Sequence, residues 1–283
     1  MQYRALSNGV ELPMIGYGTF QIRDAVQCER CVSEALEIGY RLFDTAASYE
    51  NEAAVGAALR SSGLPREAWF VTTKLWVQDA GYDGTLRAFD GSLKQLGLDY
   101  IDLYLIHQPF GDYYGAWRAM ERLYREGAVR AIGVSNFTPE RLVDLCMNQE
   151  IEPMVNQIEI HPFFQQNTAL RVVEDYGVVP QAWGPFSEAQ KDIFHHKTLA
   201  KIAGRHGKTT AQVILRWHLQ RNIPTIPKTV QPERMAENLG VFDFALTERE
   251  MESIAGMDIG HSEIIDHRCF CTARQLNSVK IHE

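Results

Sequence analysis

The feature that most constrains this chain is a regular beat of short β-rich runs, each followed by an amphipathic helical stretch, sustained from residue 14 to residue 239. Apolar periodicity places strands at 14–17, 41–44, 69–75, 101–107, 129–135, 154–158, 178–183 and 224–227. Helices are expected at 24–38, 51–61, 84–96, 116–126, 139–149, 168–176, 198–206, 210–220 and 232–239. Strands joined by helical crossovers lie parallel, and eight such units with no linker between halves suit closure into an α/β fold, a (β/α)8 TIM barrel. Barrels of this kind run to about 250 residues in one domain, so residues 1–283 are read as a single unit. The competing architecture, an open doubly wound sheet, normally carries G-x-G-x-x-G after its first strand. Gly16-Tyr17-Gly18-Thr19-Phe20 lacks the third glycine. Asn8-Gly9 between two short apolar runs predicts an N-terminal β-hairpin. The stretch 184–197 is too long for a bare turn and is a candidate binding loop, and from Met257 onward the pattern lapses into an irregular tail.

Composition narrows the possible partners. With 28 Lys plus Arg against 36 Asp plus Glu the net charge is −8, which leaves no basic footprint for nucleic acid or an anionic membrane. Hydrophobic residues make up 45% of the chain, enough for a large core and too many for intrinsic disorder. No run reaches the ~20 apolar residues of a membrane span, and the first residues show neither a basic region nor an apolar one, so a cytoplasmic location is expected. The five cysteines are odd in number and widely spread, which predicts free thiols. Cys28 and Cys31 form a C-x-x-C inside a helical pattern and lack the second ligand pair of a zinc site.

Active sites of such barrels are built where strands run out, so polar residues at those ends are informative as a set. In order they are Asp44, Lys74, His107, Ser135 with Asn136, Gln157, Trp183 and Lys228. Each alone has a structural explanation: a helix cap, a solvated strand end, a satisfied core histidine. Together they do not, because strands flanked by apolar residues do not bury Lys or Asp without partners. Asp44, Tyr49, Lys74 and His107 are chemically coherent. A tyrosine with a free pKa of about 10 is a poor acid, but an adjacent ammonium is expected to lower that value, and a carboxylate holds the ammonium in place. The phenol then protonates a developing alkoxide while the imidazole orients the carbonyl oxygen. Nothing in the set suggests covalent attack or a metal, so carbonyl reduction with a cofactor-borne hydride fits best.

At these residues the chain resembles the aldo-keto reductase superfamily, and in particular microbial, short-loop members similar to 2,5-diketo-gluconate reductases. The motifs are Gly18-Thr19-Phe20, Arg41-Leu42-Phe43-Asp44-Thr45-Ala46 with Tyr49-Glu50-Asn51-Glu52, Thr73-Lys74-Leu75-Trp76 and Asp102-Leu103-Tyr104-Leu105-Ile106-His107. They continue with Ala131-Ile132-Gly133-Val134-Ser135-Asn136-Phe137, Asn156-Gln157-Ile158-Glu159 and Ile226-Pro227-Lys228-Thr229. The resemblance implies Tyr49 as general acid, Asp44 and Lys74 as its tuners and His107 as substrate orienter. It implies Ser135, Asn136 and Gln157 around a nicotinamide carboxamide, and Trp183 as the stacking face where tyrosine is common. The remaining implied cofactor positions are Gly18, Thr19, Phe20, Asp44, Gly184, Pro185, Phe186, Lys228, Thr229, Val230, Arg234, Glu237 and Asn238. Lys228, Thr229 and Arg234 correspond to a clamp on a 2′-phosphate, so NADPH/NADP+ is expected over NADH. Glu237 and Asn238 fall at adenine contacts, or else on a solvated helix face.

The connection after His107 is short, which predicts an open substrate pocket walled by Phe20, Tyr49, Trp76, His107 and Gln108, with Tyr113 as a further candidate. Small aldehydes, α-dicarbonyls, keto esters or keto-sugar acids fit it. The segment 264–268 either folds over this pocket or merely packs beside it. Two rivals run against the residues present. Asp44 keeps Lys74 charged and so poorly suited to a Schiff base, and no metal-ligand spacing supports hydrolysis by His107, His161 and Asp44. A nucleotide-binding regulatory or interaction subunit on the same scaffold is the remaining alternative. The family's usual state implies a monomer.

Overall fold

The computed structural model describes residues 2–283. Two short strands, β1 (Tyr3–Ala5) and β2 (Glu11–Pro13), pair antiparallel as the N-terminal hairpin. Its turn differs from the two-residue form expected. Leu6 N–H bonds to Val10 O, Gly9 N–H bonds to Leu6 O, and only Gly9 takes a positive φ (+83°), so the loop holds three residues, 7–9.

Seven strands follow: β3 (Tyr17–Gly18), β4 (Leu42–Asp44), β5 (Phe70–Leu75), β6 (Ile101–Ile106), β7 (Val129–Ser135), β8 (Val155–Glu159) and β9 (Val179–Trp183). They form one parallel sheet in sequence order. β5 and β6 are buried at every residue, as expected of parallel strands covered on both faces, which read as continuous apolar runs. The crossovers are α1 (Ala25–Ile38), α2 (Glu52–Ser61), α3 (Tyr82–Leu96), α4 (Tyr113–Arg125), α5 (Pro139–Asn148), α6 (Asn167–Asp175), α7 (Lys197–His206), α8 (Thr210–Gln220) and α9 (Pro232–Leu239). Asp24 caps α1 by accepting from Gln27 N (2.8 Å), and Gly39 in the left-handed region (φ +118°) ends it. Cys28 and Cys31 lie fully buried on α1 as free thiols.

The expected eighth strand is the main departure. Segment 224–227 is not a strand; it makes isolated bridges from Thr225 to Ile15 and to Ala182. Pro224 and Pro227 have no N–H, so only the two residues between them can donate to neighbours. Thr225 N–H reaches Met14 O (3.0 Å) and Ile226 N–H reaches Ala182 O (3.2 Å), while Ala182 N–H donates to Pro224 O (2.8 Å) and Gly18 N–H to Pro227 O (3.1 Å). The segment is thereby hydrogen bonded to β3's side and to β9.

The C-terminal region is more ordered than expected. α10 (Glu248–Ala255) starts at a capping box in which Thr247 and Glu250 satisfy each other's backbone N–H. α11 (Phe270–Ser278) lies inside the stretch read as irregular. At its start, Cys269 at the cap and Cys271 in the first turn form a disulfide, against the expectation of free thiols. Two residues apart at a helix start, their Cα atoms are 5.3 Å apart, within bridging range. α4 also begins three residues earlier than expected, because Asp112 caps it through Gly115 N (2.8 Å).

At the opposite end of the sheet from the polar strand ends, fully buried Asp102 of β6 accepts from Arg66 (2.6 Å), Arg130 (2.8 Å) and Val71 N (2.9 Å). Removing it strands Arg66 and one backbone donor. Asp102→Ala is expected to cost about 3 kcal/mol. Urea unfolding would register this as a lower midpoint at unchanged m; an unchanged midpoint contradicts the assignment.

Candidate active site

A hydrogen-bond network drawn from four strands is built around one ammonium. Lys74, at the fifth position of β5, is fully buried, with Nζ 2.5 Å from Asp44 Oδ1 at the end of β4, 2.9 Å from Thr45 O and 3.2 Å from the Tyr49 hydroxyl. Asp44 Oδ2 accepts from Gln157 Nε2 of β8 (2.7 Å), and Gln157 also donates to Gln181 Oε1 of β9 (2.8 Å). Tyr49 reaches this centre because a single 3₁₀ turn, Ala47–Tyr49, follows β4 and stops where Glu50 takes φ +58°. Asn51 fixes the turn: its Nδ2 donates to Thr19 O and Ile22 O (3.0 Å each), and its Oδ1 accepts from Thr45 Oγ1 (2.6 Å).

Burial opposes the charge on Lys74, but Asp44 and Tyr49 outweigh it and the pKa is raised, so the side chain is an ammonium at neutral pH. Tyr49 departs from the expectation of a lowered pKa. Burial raises it more than Lys74 lowers it, so the phenol is held neutral, as a proton donor.

His107 follows β6, its N–H bonded to Leu75 O (3.0 Å). Its ring stands edge-on to Tyr49 (centroids 5.5 Å) and to Trp76 (5.4 Å), and Phe20 lies 5.0 Å from the Tyr49 ring. Burial, then Lys74 and His267, drive the imidazole pKa well below 6.5. Asn136, in the left-handed region (φ +63°), donates to His107 O (3.0 Å) and Ser135 Oγ (3.2 Å) and accepts from Trp183 Nε1 (2.8 Å). Ser135 Oγ donates to Gln157 O (2.9 Å). Ser135, Asn136, Gln157 and Trp183 thus form one patch beside Tyr49 and His107.

The other residues expected at a cofactor are placed as follows. Gly18 must be glycine, since a Cβ there would sit 2.8 Å from Ile226 O. Thr19 is buried and donates to Asp44 O (2.9 Å). Gly184 (φ +58°), Pro185 and Phe186 lead into a loop whose residues 187–189, 191 and 192 have positive φ. There the Ser187 hydroxyl is buried without a partner, a polar atom left for a ligand. Sequence reasoning missed Ser187 itself; the length of 184–197 was the available signal. Lys228 is exposed, and so is Arg234 on the first turn of α9; between them Thr229 O accepts from the Tyr17 hydroxyl (2.5 Å) and Val230 is half-buried. An orphaned hydroxyl in a positive-φ loop, together with the exposed cations Lys228 and Arg234, fits a dinucleotide bearing an extra phosphate. Glu237 accepts from Thr209 Oγ1 (2.6 Å), and Asn238 is buried, so neither is a freely solvated face.

The expected open pocket is corrected by the tail. Trp76 Nε1 donates to Val279 O (2.9 Å), His267 Nε2 donates to Gln108 Oε1 (3.0 Å), and Leu276 joins Trp76, Val77 and Phe110 in one apolar cluster. Segment 264–268 therefore lies over the pocket rim. Phe20, 48% exposed, is left as the open wall. Tyr113 packs edge-on against Phe137 instead (5.3 Å). Beyond Asn136 the tail and the loops after β7 and β8 enclose a cavity of about 410 Å³.

A parallel sheet carrying this ammonium–carboxylate–phenol–imidazole set belongs to a known class. The family described as "Aldo/keto reductase family" matches residues 14–259, and the chain belongs to it. It is an NADP-dependent oxidoreductase. The oxidoreductase YtbE of Bacillus subtilis (strain 168) is 47% identical over 258 residues, covering 89% of this chain and 91% of that protein. Glyoxal reductase of the same organism is 44% identical over 254 residues, covering 89% and 91%. The crystal structure of a Bombyx mori aldo-keto reductase in complex with NADP superimposes with a TM-score of 0.88 at 33% identity, covering 94% of this chain and 95% of that one.

A pH expectation follows from His107. With its pKa well below 6.5 the ring is neutral above that region, so kcat/KM for carbonyl reduction should stay flat from about pH 5.5 to about 7.5. An inflection near 6.5 would show that the imidazole titrates in the working range.

Proposed function

We propose that the chain is a closed (β/α)8 barrel of one domain that reduces small carbonyl compounds with NADPH, Tyr49 acting as general acid. The observation that carries this reading is the Lys74 ammonium, 3.2 Å from the Tyr49 hydroxyl and charge-matched by Asp44 at 2.5 Å. Barrel closure is supported by segment 224–227, bonded to both flanks of the sheet.

NADPH, when bound, supplies the hydride. Ser135, Asn136 and Gln157 hold its carboxamide, Trp183 offers a flat face to the ring, and the segment from Gly184 to Ser187 receives the phosphates. Lys228, Thr229 and Arg234 hold the 2′-phosphate, and Glu237 and Asn238 face the adenine. His107 donates an N–H to the substrate carbonyl oxygen and sets its direction. As charge builds on that oxygen, Tyr49 passes it the phenolic proton. Lys74 stabilises the phenolate left behind, and Asp44 keeps the ammonium in position. A raised phenol pKa suits the task, because the proton stays on Tyr49 until the substrate oxygen becomes more basic. Aldehydes, α-dicarbonyls, keto esters and keto-sugar acids remain the candidate substrates. The 44% identical glyoxal reductase supports the dicarbonyls among them.

Tyr49→Phe is expected to lower kcat by about 10²- to 10⁴-fold, followed by loss of NADPH absorbance, while the NADPH Kd from tryptophan quenching holds. Wild-type turnover in this variant removes Tyr49 as the acid. Arg234→Ala is expected to weaken NADPH by ~10- to 150-fold and NADH hardly at all, the loss of a charge-assisted phosphate contact. Equal losses for both nucleotides refute the 2′-phosphate assignment.

A further inference from the structure

The neutral state of His107 leaves one question open: which ring nitrogen carries the proton. A neutral imidazole has a single N–H, and only that nitrogen can donate to a carbonyl oxygen. Edge-on packing against Tyr49 and Trp76 fixes the plane of the ring, yet it treats both tautomers alike. A hydrogen bond to one nitrogen is what separates them.

That bond comes from the residue next to the acid. Ser48 Oγ lies 3.2 Å from His107 Nδ1, and among the described residues this is its side chain's one hydrogen bond. Nε2 has no protein partner there and is the nitrogen left for substrate. A hydroxyl both donates and accepts, so Ser48 is compatible with either tautomer taken alone. A substrate oxygen is not: it requires N–H at Nε2, hence a bare lone pair at Nδ1, hence a donor facing Nδ1. Ser48 is that donor. We infer that Ser48 is a positioning residue that holds His107 in the Nε2–H tautomer by donating its hydroxyl proton to Nδ1. The inference rests on the roles given above to Tyr49 and His107.

The placement has a structural logic. Ala47–Tyr49 is one 3₁₀ turn, so Ser48 and Tyr49 are carried by the same few backbone torsions. One turn sets the acid and the tautomer of its neighbour together, and both donors to the carbonyl oxygen keep their relative position. A threonine offers the same hydroxyl, whereas an alanine offers nothing to Nδ1 and leaves the tautomers to compete. The incorrect tautomer points a lone pair at the substrate oxygen and weakens binding of the transition state.

The test reads the tautomer directly. Proton–nitrogen correlation spectra of histidine-labelled protein distinguish the two nitrogens, and the His107 signals are those missing in His107→Gln. Expected for the wild type is a protonated Nε2 and a bare Nδ1. In Ser48→Ala the pattern should become a mixture, with kcat for carbonyl reduction about 5- to 10-fold lower and the NADPH Kd unchanged. Ser48→Thr should restore both. A protonated Nδ1 in the wild type overturns the inference, and so does a lower kcat in Ser48→Ala without a change of tautomer. The wild-type spectrum decides even if the alanine variant fails to fold. It is also independent of turnover, so failure of the catalytic reading, seen as full activity in Tyr49→Phe, is told apart from failure of this one.

Discussion

A lysine ammonium taken fully out of water is tolerated only if its charge and all three of its protons are matched, and the structure is organised around meeting that demand at Lys74. Its three partners, Asp44 Oδ1, Thr45 O and the Tyr49 hydroxyl, use the three N–H donors. The second oxygen of Asp44 is then satisfied from across the sheet by Gln157. β4 and β8 are four strand spacings apart in the sheet order, roughly 19 Å in a flat sheet at about 4.8 Å per strand. A 2.7 Å bond between their side chains therefore requires the sheet to curl until its interior side chains meet. The polar network and the curvature are mutually dependent: without the curl Asp44 loses a partner, and without the partners the buried ammonium is untenable.

The same environment divides the work between two neutral donors. Burial raises the phenol pKa and lowers the imidazole pKa, so Tyr49 and His107 are both neutral, each with one proton to donate, and neither adds charge to a site that already holds one matched pair. Water-poor surroundings give such donors more effect on a developing oxyanion than they have in solution. Strand ends supply this part of the site, where backbone hydrogen bonding holds geometry tightly. Phe20, Trp76 and Gln108, the residues proposed to meet the variable part of a substrate, lie just beyond the strands, in loops and under the tail.

Much of this was legible in the sequence because buried parallel strands are mostly apolar, so a charged or amide side chain near a strand end stands out. Asp44, Lys74, His107, Ser135 and Gln157 were visible on that ground, and the structure brings all five together around one centre. What escaped depends on contacts with no local signature. Segment 224–227 has strand-like composition, yet its two prolines remove the donors of a ladder. The cover over Trp76 comes from Val279, 203 residues away, and no periodicity announces it. Cys269 and Cys271 read as two scattered thiols until the start of α11 holds them side by side. The direction of the Tyr49 shift is a contest between desolvation and a nearby charge, and a sequence names the charge without measuring the burial. Ser187 is a single serine in a long loop; only its buried, unpartnered hydroxyl makes it stand out.

The tail is fastened unevenly, and the pattern matches what the site must admit. On the β5 side it is held by apolar contacts of Leu276 with Trp76, Val77 and Phe110 and by the Trp76 indole, all largely removed from water. In its middle, buried Glu159 accepts from Ser262 Oγ (2.6 Å), and that hydroxyl in turn accepts from Ile264 N (3.0 Å) and Ile265 N (2.9 Å), which pins the segment to β8. Toward the loop after β9 the direct ion pair is Lys191–Glu263 at 3.0 Å, with both side chains substantially exposed. Exposed pairs contribute about 1 kcal/mol or less, so this edge parts at little cost while the other two stay closed. It is also the edge formed by the positive-φ loop that follows Gly184 and contains Ser187, the segment proposed above to receive the phosphates. Under the function proposed above, the substrate wall would stand on the firmly held side of the tail and the cofactor entrance on the weakly held one, so nucleotide would exchange without dismantling the surface that meets the carbonyl compound.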